Sequence, residues 1–271
     1  MKRREFLATV AVASTVKSWS LPPSPNIRLG LCTYTFRKFN RAQAIQMTKE
    51  AGVKYVNIKD VHLSMKISPE EMRAAAKEFR DAGLEIVAGG TITFNKPDEA
   101  AVRASFEYAK TCGMPVIVAA PTRETLPIVE KMAKEFDIRI AIHNHGPEDK
   151  NFPSPYDVLD AVKGMDPRMG LCMDVGHAMR AGADVVKAAA DAGARLHDMH
   201  IKDLKDPKGK DSQCVVGQGV MPIPDLFRQL RKMNYKGTVD LEYEIQADNP
   251  LPGVKESFAY MRGVAEKLGS A

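Results

Sequence analysis

Arg139-Ile140-Ala141-Ile142-His143-Asn144-His145 reads as a short β-strand that runs out into histidines. Side chains alternate along a strand, so His143 and His145 share a face. The same pattern recurs along the chain. His62, His143, His145, His177, His197 and His200 are all the histidines present, and each is read as lying at or just past the end of a strand-like segment. Imidazole ligates transition metals and moves protons near neutral pH. The clustering therefore predicts one site assembled by several strands.

Outward from Arg139, strand and helix alternate. The apolar patterning predicts strands at Ile27–Phe36, Lys54–Lys59, Leu84–Gly89, Pro115–Ala119, Ile138–His143, Met169–Val175, Arg195–Ile201 and Thr238–Tyr243. It predicts helices at Arg41–Ala51, from Ser68-Pro69 to near Gly83, at Pro97–Cys112, Arg123–Phe136, from Ser154-Pro155 to near Gly164, and at Ala183–Ala192, Pro222–Met233 and Val254–Leu268. Ser68 suits an N-cap and Pro69 a first helical turn. Eight βα units at a spacing of roughly 30 residues argue for a parallel barrel over an open doubly wound sheet. No GxGxxG follows the first strand. The expected fold is thus α/β, a single-domain (β/α)8 TIM barrel. Such barrels carry their active sites at the C-terminal ends of the strands, where the histidines are expected.

Strand register sharpens the expectation. Asp198, His200 and Lys202 share one face, and His197 points the other way, to pack behind the barrel. Cys172, Asp174 and Gly176 share a face, as do Asp240, Glu242 and Glu244. A barrel can aim His143, Asp174, His200 and Glu242 at one point. Two imidazoles and two carboxylates suit a divalent Mn, Zn, Co or Fe ion better than Mg or Ca, and they balance its charge. An open coordination position would take water or substrate oxygens. His145 is the alternative to His143 as fourth ligand, and either is also a candidate second base.

Composition narrows the partners. The 271 residues are 44% hydrophobic and 27% charged, ordinary for a globular chain. The net charge is +5, but Lys2, Arg3, Arg4 and Lys17 against Glu5 supply +3 of it, which leaves +2 for the rest. No basic stripe with interleaved aromatics is present, which argues against a nucleic-acid partner. Cys32, Cys112, Cys172 and Cys214 form no CxxC pair and read as buried thiols.

The first 20 residues, MKRREFLATVAVASTVKSWS, join a basic start to an apolar run too short to span a bilayer. Arg3-Arg4-Glu5-Phe6-Leu7 resembles the twin-arginine export signal. Leu21-Pro22-Pro23-Ser24-Pro25 follows as a linker-like boundary. The expected division is residues 1–25 as signal and linker and 26–271 as the barrel. That places the mature protein in the periplasm or outside the cell, with no stable membrane anchor. A homo-oligomer is compatible with it.

Residues 26–268 resemble the xylose isomerase-like barrel family, the sugar isomerase/epimerase group. The motifs that carry the resemblance are Ile142-His143-Asn144-His145-Gly146, Met173-Asp174-Val175-Gly176-His177, His200-Ile201-Lys202-Asp203 and Asp240-Leu241-Glu242-Tyr243-Glu244, with Val216-Gly217-Gln218-Gly219-Val220. The resemblance implies metal ligands at His143, Asp174, His200 and Glu242. It implies proton abstraction next to a carbonyl through a metal-stabilised enediolate, with a small sugar as substrate. One departure stands out: many members carry Glu where this chain has His143, and only one carboxylate of their acid/base pair, Glu242, remains.

The expected function is isomerisation or epimerisation of a non-phosphorylated sugar or keto-sugar. Glu242 is read as ligand and base, and His145 and His177 as proton carriers or substrate donors. Lys202 either holds a substrate oxygen or forms an interior ion pair. Asn57, Lys59 and His62 are expected to line the mouth and bind substrate, His62 being equally compatible with a surface loop. The same chemistry can expel a β-leaving group, so a lyase that frees the aglycone of 3-keto-glycosides is the alternative. A non-catalytic sugar-binding barrel is a further one. A DNA-repair nuclease on this barrel would need more ligands and a basic face.

Overall fold

Most helices in this chain start where short polar side chains satisfy the first free backbone N–H groups. In the computed structural model, which describes residues 27–269, Asn40 and Gln43 form a capping box at α1 (Arg41–Glu50). Ser68 and Glu71 do the same at α2 (Pro69–Asp81), and Ser154 and Asp157 at α5 (Pro155–Val162). Asp98 caps α3 (Glu99–Cys112) and Asp184 caps α7 (Val185–Ala192). The others are α4 (Leu126–Phe136), α6 (Val175–Arg180), α8 (Ile223–Lys232) and α9 (Leu251–Gly269). α8 buries Ile223, Leu226, Phe227 and Leu230, one stripe at helical spacing. Among the described residues no helix is long and apolar enough to cross a membrane. The export-signal stretch and its linker lie outside the described residues.

Eight parallel strands close the barrel: β1 (Leu29–Cys32), β2 (Tyr55–Ile58), β3 (Glu85–Phe94), β4 (Val116–Pro121), β5 (Arg139–His143), β6 (Met169–Asp174), β7 (Leu196–Ile201) and β10 (Val239–Leu241). Around the barrel the order is β1-β10-β7-β6-β5-β4-β3-β2, each pair parallel. This is the predicted TIM barrel. β8 (Asp203–Leu204) and β9 (Gln213–Cys214) form a small antiparallel hairpin beyond β7. The apolar interior includes Leu31, Val56, Ile117, Ile140, Leu171 and Ile201, all fully buried.

Three departures from the sequence reading have local causes. The first strand stops at Cys32, and a 3-10 turn covers Thr33–Phe36. There the Thr33 and Thr35 hydroxyls accept from the backbone N–H groups of Lys59 and Tyr243, so side chains replace the ladder. The third strand runs on to Phe94, because a register shift at Gly90 lets it keep pairing with β4. The sixth strand ends at Asp174, where the unpredicted α6 starts at once.

His197 is a correction. It does not lie at a C-terminal strand end. It is the second residue of β7, inserted where the register between β6 and β7 shifts. It lines the N-terminal mouth with Arg28, Glu85 and Arg139. Its Nδ1 lies 2.9 Å from the carbonyl of Ile140, and the residue is 6% exposed. Burial, with Arg139 and Arg195 nearby, pushes its pKa down to about 4. The unfolded chain takes up a proton near 6.5, well before the folded one does. The stabilisation is therefore complete above about pH 6.5 and is lost as the pH falls towards 4, by about 3 kcal/mol. Urea unfolding of wild type and His197→Gln at pH 7.5 and 4.5 should show wild type losing more by that amount. Equal losses would refute the assignment.

Candidate metal centre

The site is assembled from the C-terminal ends of four adjacent strands. β5 ends in His143, β6 in Asp174, β7 supplies His200, and Glu242 directly follows β10. All four are buried. Each offers one ligand atom, and these atoms lie within 4.8 Å of one another. His143 Nε2 is 3.1 Å from His200 Nδ1 and 3.6 Å from Asp174 Oδ2, and His200 Nδ1 is 3.5 Å from Glu242 Oε2. Nitrogen and oxygen ligands around a tetrahedral zinc are separated by about 3.3–3.6 Å, given their usual bond lengths. Oδ2 of Asp174 and Nδ1 of His143 are buried without a hydrogen bond. Two imidazole nitrogens that face each other, beside a carboxylate oxygen whose one close partner is the Lys202 ammonium at 3.0 Å, fit a cation better than they fit one another.

Asp174 serves two purposes. Its Oδ1 accepts the backbone N–H of His177 at 2.8 Å and caps α6, which leaves Oδ2 for the centre. Asn144 clamps the same residue through its backbone, donating to the Asp174 carbonyl and accepting its N–H, both at 3.1 Å. Lys202 enters from the side. Its Nζ lies 2.9 Å from Glu242, 3.0 Å from Asp174 and 2.7 Å from Glu244. Gly176 leaves room for it, since a Cβ there would meet the Lys202 stem at 2.8 Å. Lys202 is thus an interior ion-pair residue. Three carboxylates and one ammonium leave a charge of −2 at the centre, again the complement of a divalent ion.

The protonation states agree with this layout. Burial pushes His143 down to about 3, so the ring is neutral and one of its nitrogens offers a lone pair. Burial works against the carboxylates of Asp174 and Glu242, yet Lys202 beside them holds both well below the ordinary range. Burial opposes a charge on His200, but Glu242, Asp198 and Asp174 raise its pKa; a bound cation would take that proton's place. Below the centre, burial raises both Asp198 and Asp240, and the Asp198 carboxylate pushes Asp240 further up. The four cysteines are buried and free. Cys172 stands within 4.8 Å of His143 and His200, its thiol pushed well up by burial and by Asp198.

Of the residues read from sequence as mouth-lining, Asn57 and His62 fall elsewhere, while Lys59 directly follows the C-terminal end of β2. Asn57 is buried beneath the centre, its amide 3.0 Å from Asp198 and 3.1 Å from the Nε2 of His200, where it fixes that ring. Strand alternation turns it into the barrel, below the mouth. His62 is 2% exposed and faces the carbonyl of Phe39 at 3.1 Å, neither on the surface nor at the centre. Lys59 is half-buried, with its ammonium 5.1 Å from the ring centre of Tyr34. His145 and His177 do stand over the centre. The His145 ring is 4.2 Å from that of His143 and 5.8 Å from that of His177. Beside them opens a cavity of about 300 Å³, lined by His177, Arg180, Lys202, Gln213 and Glu244. The sequence reading did not reach Asn144, Asp149, Arg180 or Gln213. Asn144 follows His143 directly, but nothing in the sequence says which strand its amide will clamp.

Comparison with known proteins agrees with the architecture. An inosose dehydratase of Mesomycoplasma hyopneumoniae (strain 7448) is 27% identical over 154 residues, 49% of this chain and 50% of that one. The chain thus matches about half the length of such curated relatives. The structure of the 3-keto-D-glucoside 4-epimerase of E. coli superposes with a TM-score of 0.72 at 19% identity, over 88% of this chain and 99% of that one. The IolI protein, solved with a zinc atom, superposes with a TM-score of 0.72 at 18% identity, over 90% and 98%. At these identities the two structures speak for the fold alone. The family model for the xylose isomerase-like TIM barrel matches residues 45–264, most of the chain, and the protein belongs to that family.

Proposed function

We propose that this protein is a divalent-metal enzyme that moves a proton next to the carbonyl of a non-phosphorylated sugar or keto-sugar, as an isomerase or epimerase. The observation that carries the reading is the set of four buried donors, His143, Asp174, His200 and Glu242, at one strand-end centre with two further imidazoles above it. The zinc of the IolI structure and the sugar-like substrates named for the dehydratase and epimerase support it. A bound divalent cation there would supply Lewis-acid polarisation of a carbonyl oxygen. Lys202 keeps the two carboxylates ionised and in place. Glu242 is committed to Lys202 and His200, so the proton-moving role passes to His145. That ring is 36% exposed at the mouth, with Asp149 at 3.4 Å from its Nδ1. The polar side chains on the cavity wall, Arg180, Lys202, Gln213 and Glu244, can hydrogen-bond a hydroxyl-rich ligand.

A second reading, a lyase on 3-keto-glycosides, is favoured by one observation. The fifth strand carries His143 where many members of the family carry a carboxylate, so the centre lacks their opposed pair of carboxylate bases. Epimerisation draws on two opposed bases, whereas elimination needs one base and a leaving group. The test is a panel of ketoses, aldoses and 3-keto-glucosides with Mn2+- or Zn2+-loaded enzyme in D2O. Deuterium at the carbon next to the carbonyl is expected, reduced by about 100-fold or more in His145→Ala. Release of aglycone would assign the lyase. Neither deuterium nor aglycone across the panel would sink both readings and leave the sugar-binding barrel.

A further inference from the structure

His145 and His177 look alike in sequence, but their neighbours differ in sign. The Nδ1 of His145 faces the Asp149 carboxylate at 3.4 Å. That carboxylate is itself fixed, because its other oxygen accepts the backbone N–H groups of Asn151 and Phe152 at 2.7 and 3.2 Å. The Nδ1 of His177 faces Nη1 of Arg180 at 3.3 Å. Arg180 lies one helical turn further along α6, and its side chain is 7% exposed and anchored by Glu148. Gly146, at φ +85°, leaves room for this arrangement; a Cβ there would meet His177 Nδ1 at 3.0 Å and Arg180 Nη1 at 3.2 Å.

A carboxylate only accepts, so Asp149 favours a proton on Nδ1 of His145. A guanidinium has five N–H donors and no acceptor. The nitrogen of His177 that it faces must therefore present a lone pair, and the ring proton must sit on Nε2. No hydrogen bond within the described residues engages that Nε2, and His177 lines the cavity beside the centre.

We infer that Asp149 and Arg180 are positioning residues that lock His145 and His177 into opposite tautomers: His145 with its Nε2 lone pair free to take a proton, His177 with an Nε2–H that donates to a substrate oxygen. The inference rests on the proposed proton-transfer chemistry and divides its roles between two imidazoles. In the proton step, the C–H bond next to the carbonyl breaks, its proton passes to His145 Nε2, and its electron pair moves towards the carbonyl oxygen. His177 keeps its proton and hydrogen-bonds a substrate oxygen throughout.

The test is two-bond 1H–15N correlation NMR of the 15N-histidine-labelled protein, loaded with diamagnetic Zn2+. His145→Gln and His177→Gln assign the two rings. The expected spectrum shows His177 protonated on Nε2 and His145 on Nδ1. In Arg180→Met the His177 ring should move to a mixed tautomer with His145 unchanged, while Arg180→Lys, also a pure donor, should keep the wild-type pattern. A wild-type His177 protonated on Nδ1 would overturn the lock whether or not any variant folds, as would a folded Arg180→Met with an unaltered His177 ring. The readout is independent of turnover. The expected tautomers in an enzyme that exchanges no deuterium would refute the proposed reaction and leave the lock standing; reversed tautomers in an active enzyme would do the opposite.

Discussion

His200→Ala is expected to abolish stoichiometric metal binding. His200 Nδ1 is the hub of the centre, 3.1 Å from His143 and 3.5 Å from Glu242, while its Nε2 side is held by Asn57. The substitution removes a ligand outright, and it also leaves the Asn57 amide and the raised Asp198 without their imidazole partner. Loss of an outer partner of a metal ligand alone typically costs 10–100-fold in affinity, so loss of the ligand should exceed about 100-fold. Elemental analysis of wild type beside His200→Ala, after loading with Mn, Zn, Co or Fe and dialysis, reads this directly. About one equivalent in wild type and none in the variant is the expected result. One equivalent in both would mean that the cation sits elsewhere, and none in either would remove the proposed mechanism.

Lys202→Met should destabilise the metal-free protein strongly and the metal-loaded protein much less. Among the described residues the ammonium is the only cationic side chain other than the imidazoles within ion-pair distance of both Asp174 and Glu242, and it also holds the half-exposed Glu244. Methionine keeps most of the stem's volume against Gly176 but leaves buried carboxylates uncompensated. Breaking a buried pair from one side costs about 3–5 kcal/mol. In a chain of this size that is a fall in melting temperature on the order of 10 °C. A divalent cation would restore the missing positive charge, so excess Mn2+ should close much of the gap between variant and wild type. Thermal melts in chelator and in Mn2+ make the comparison. A variant that melts like wild type in chelator would show that the ammonium does not hold the centre together. A gap untouched by the cation would show that the two charges do not share one site.

The sequence was enough to recognise eight strand–helix units, because each buries its own apolar face and several helices begin on their own caps. It was enough to bring His143, Asp174, His200 and Glu242 together, because alternation along a strand and closure of a parallel sheet leave few other places for strand-end residues. It was not enough to place His197 or Asn57. A one-residue register shift between β6 and β7 puts His197 at the N-terminal mouth, and the inward turn of Asn57 takes it under His200. The first depends on how two strands pair, and the second on which side chains meet Asn57 across the closed barrel.

The division of labour around the centre was likewise beyond the linear chain. Lys202 could have met a substrate or an acid; three carboxylates from β6 and the segment after β10 settle that as an ion pair. His145 and His177 differ through Asp149 and Arg180, whose side chains reach back to them from a loop and from a short helix capped by the metal-ligand candidate Asp174 itself. Residue type and period determine which groups arrive at the mouth of the barrel, since both follow from backbone geometry. Which atom of each group faces which neighbour depends on rotamers, even for pairs as near in the chain as His145 with Asp149 and His177 with Arg180, and for Lys202 on distances between strands that exist only once the barrel has closed.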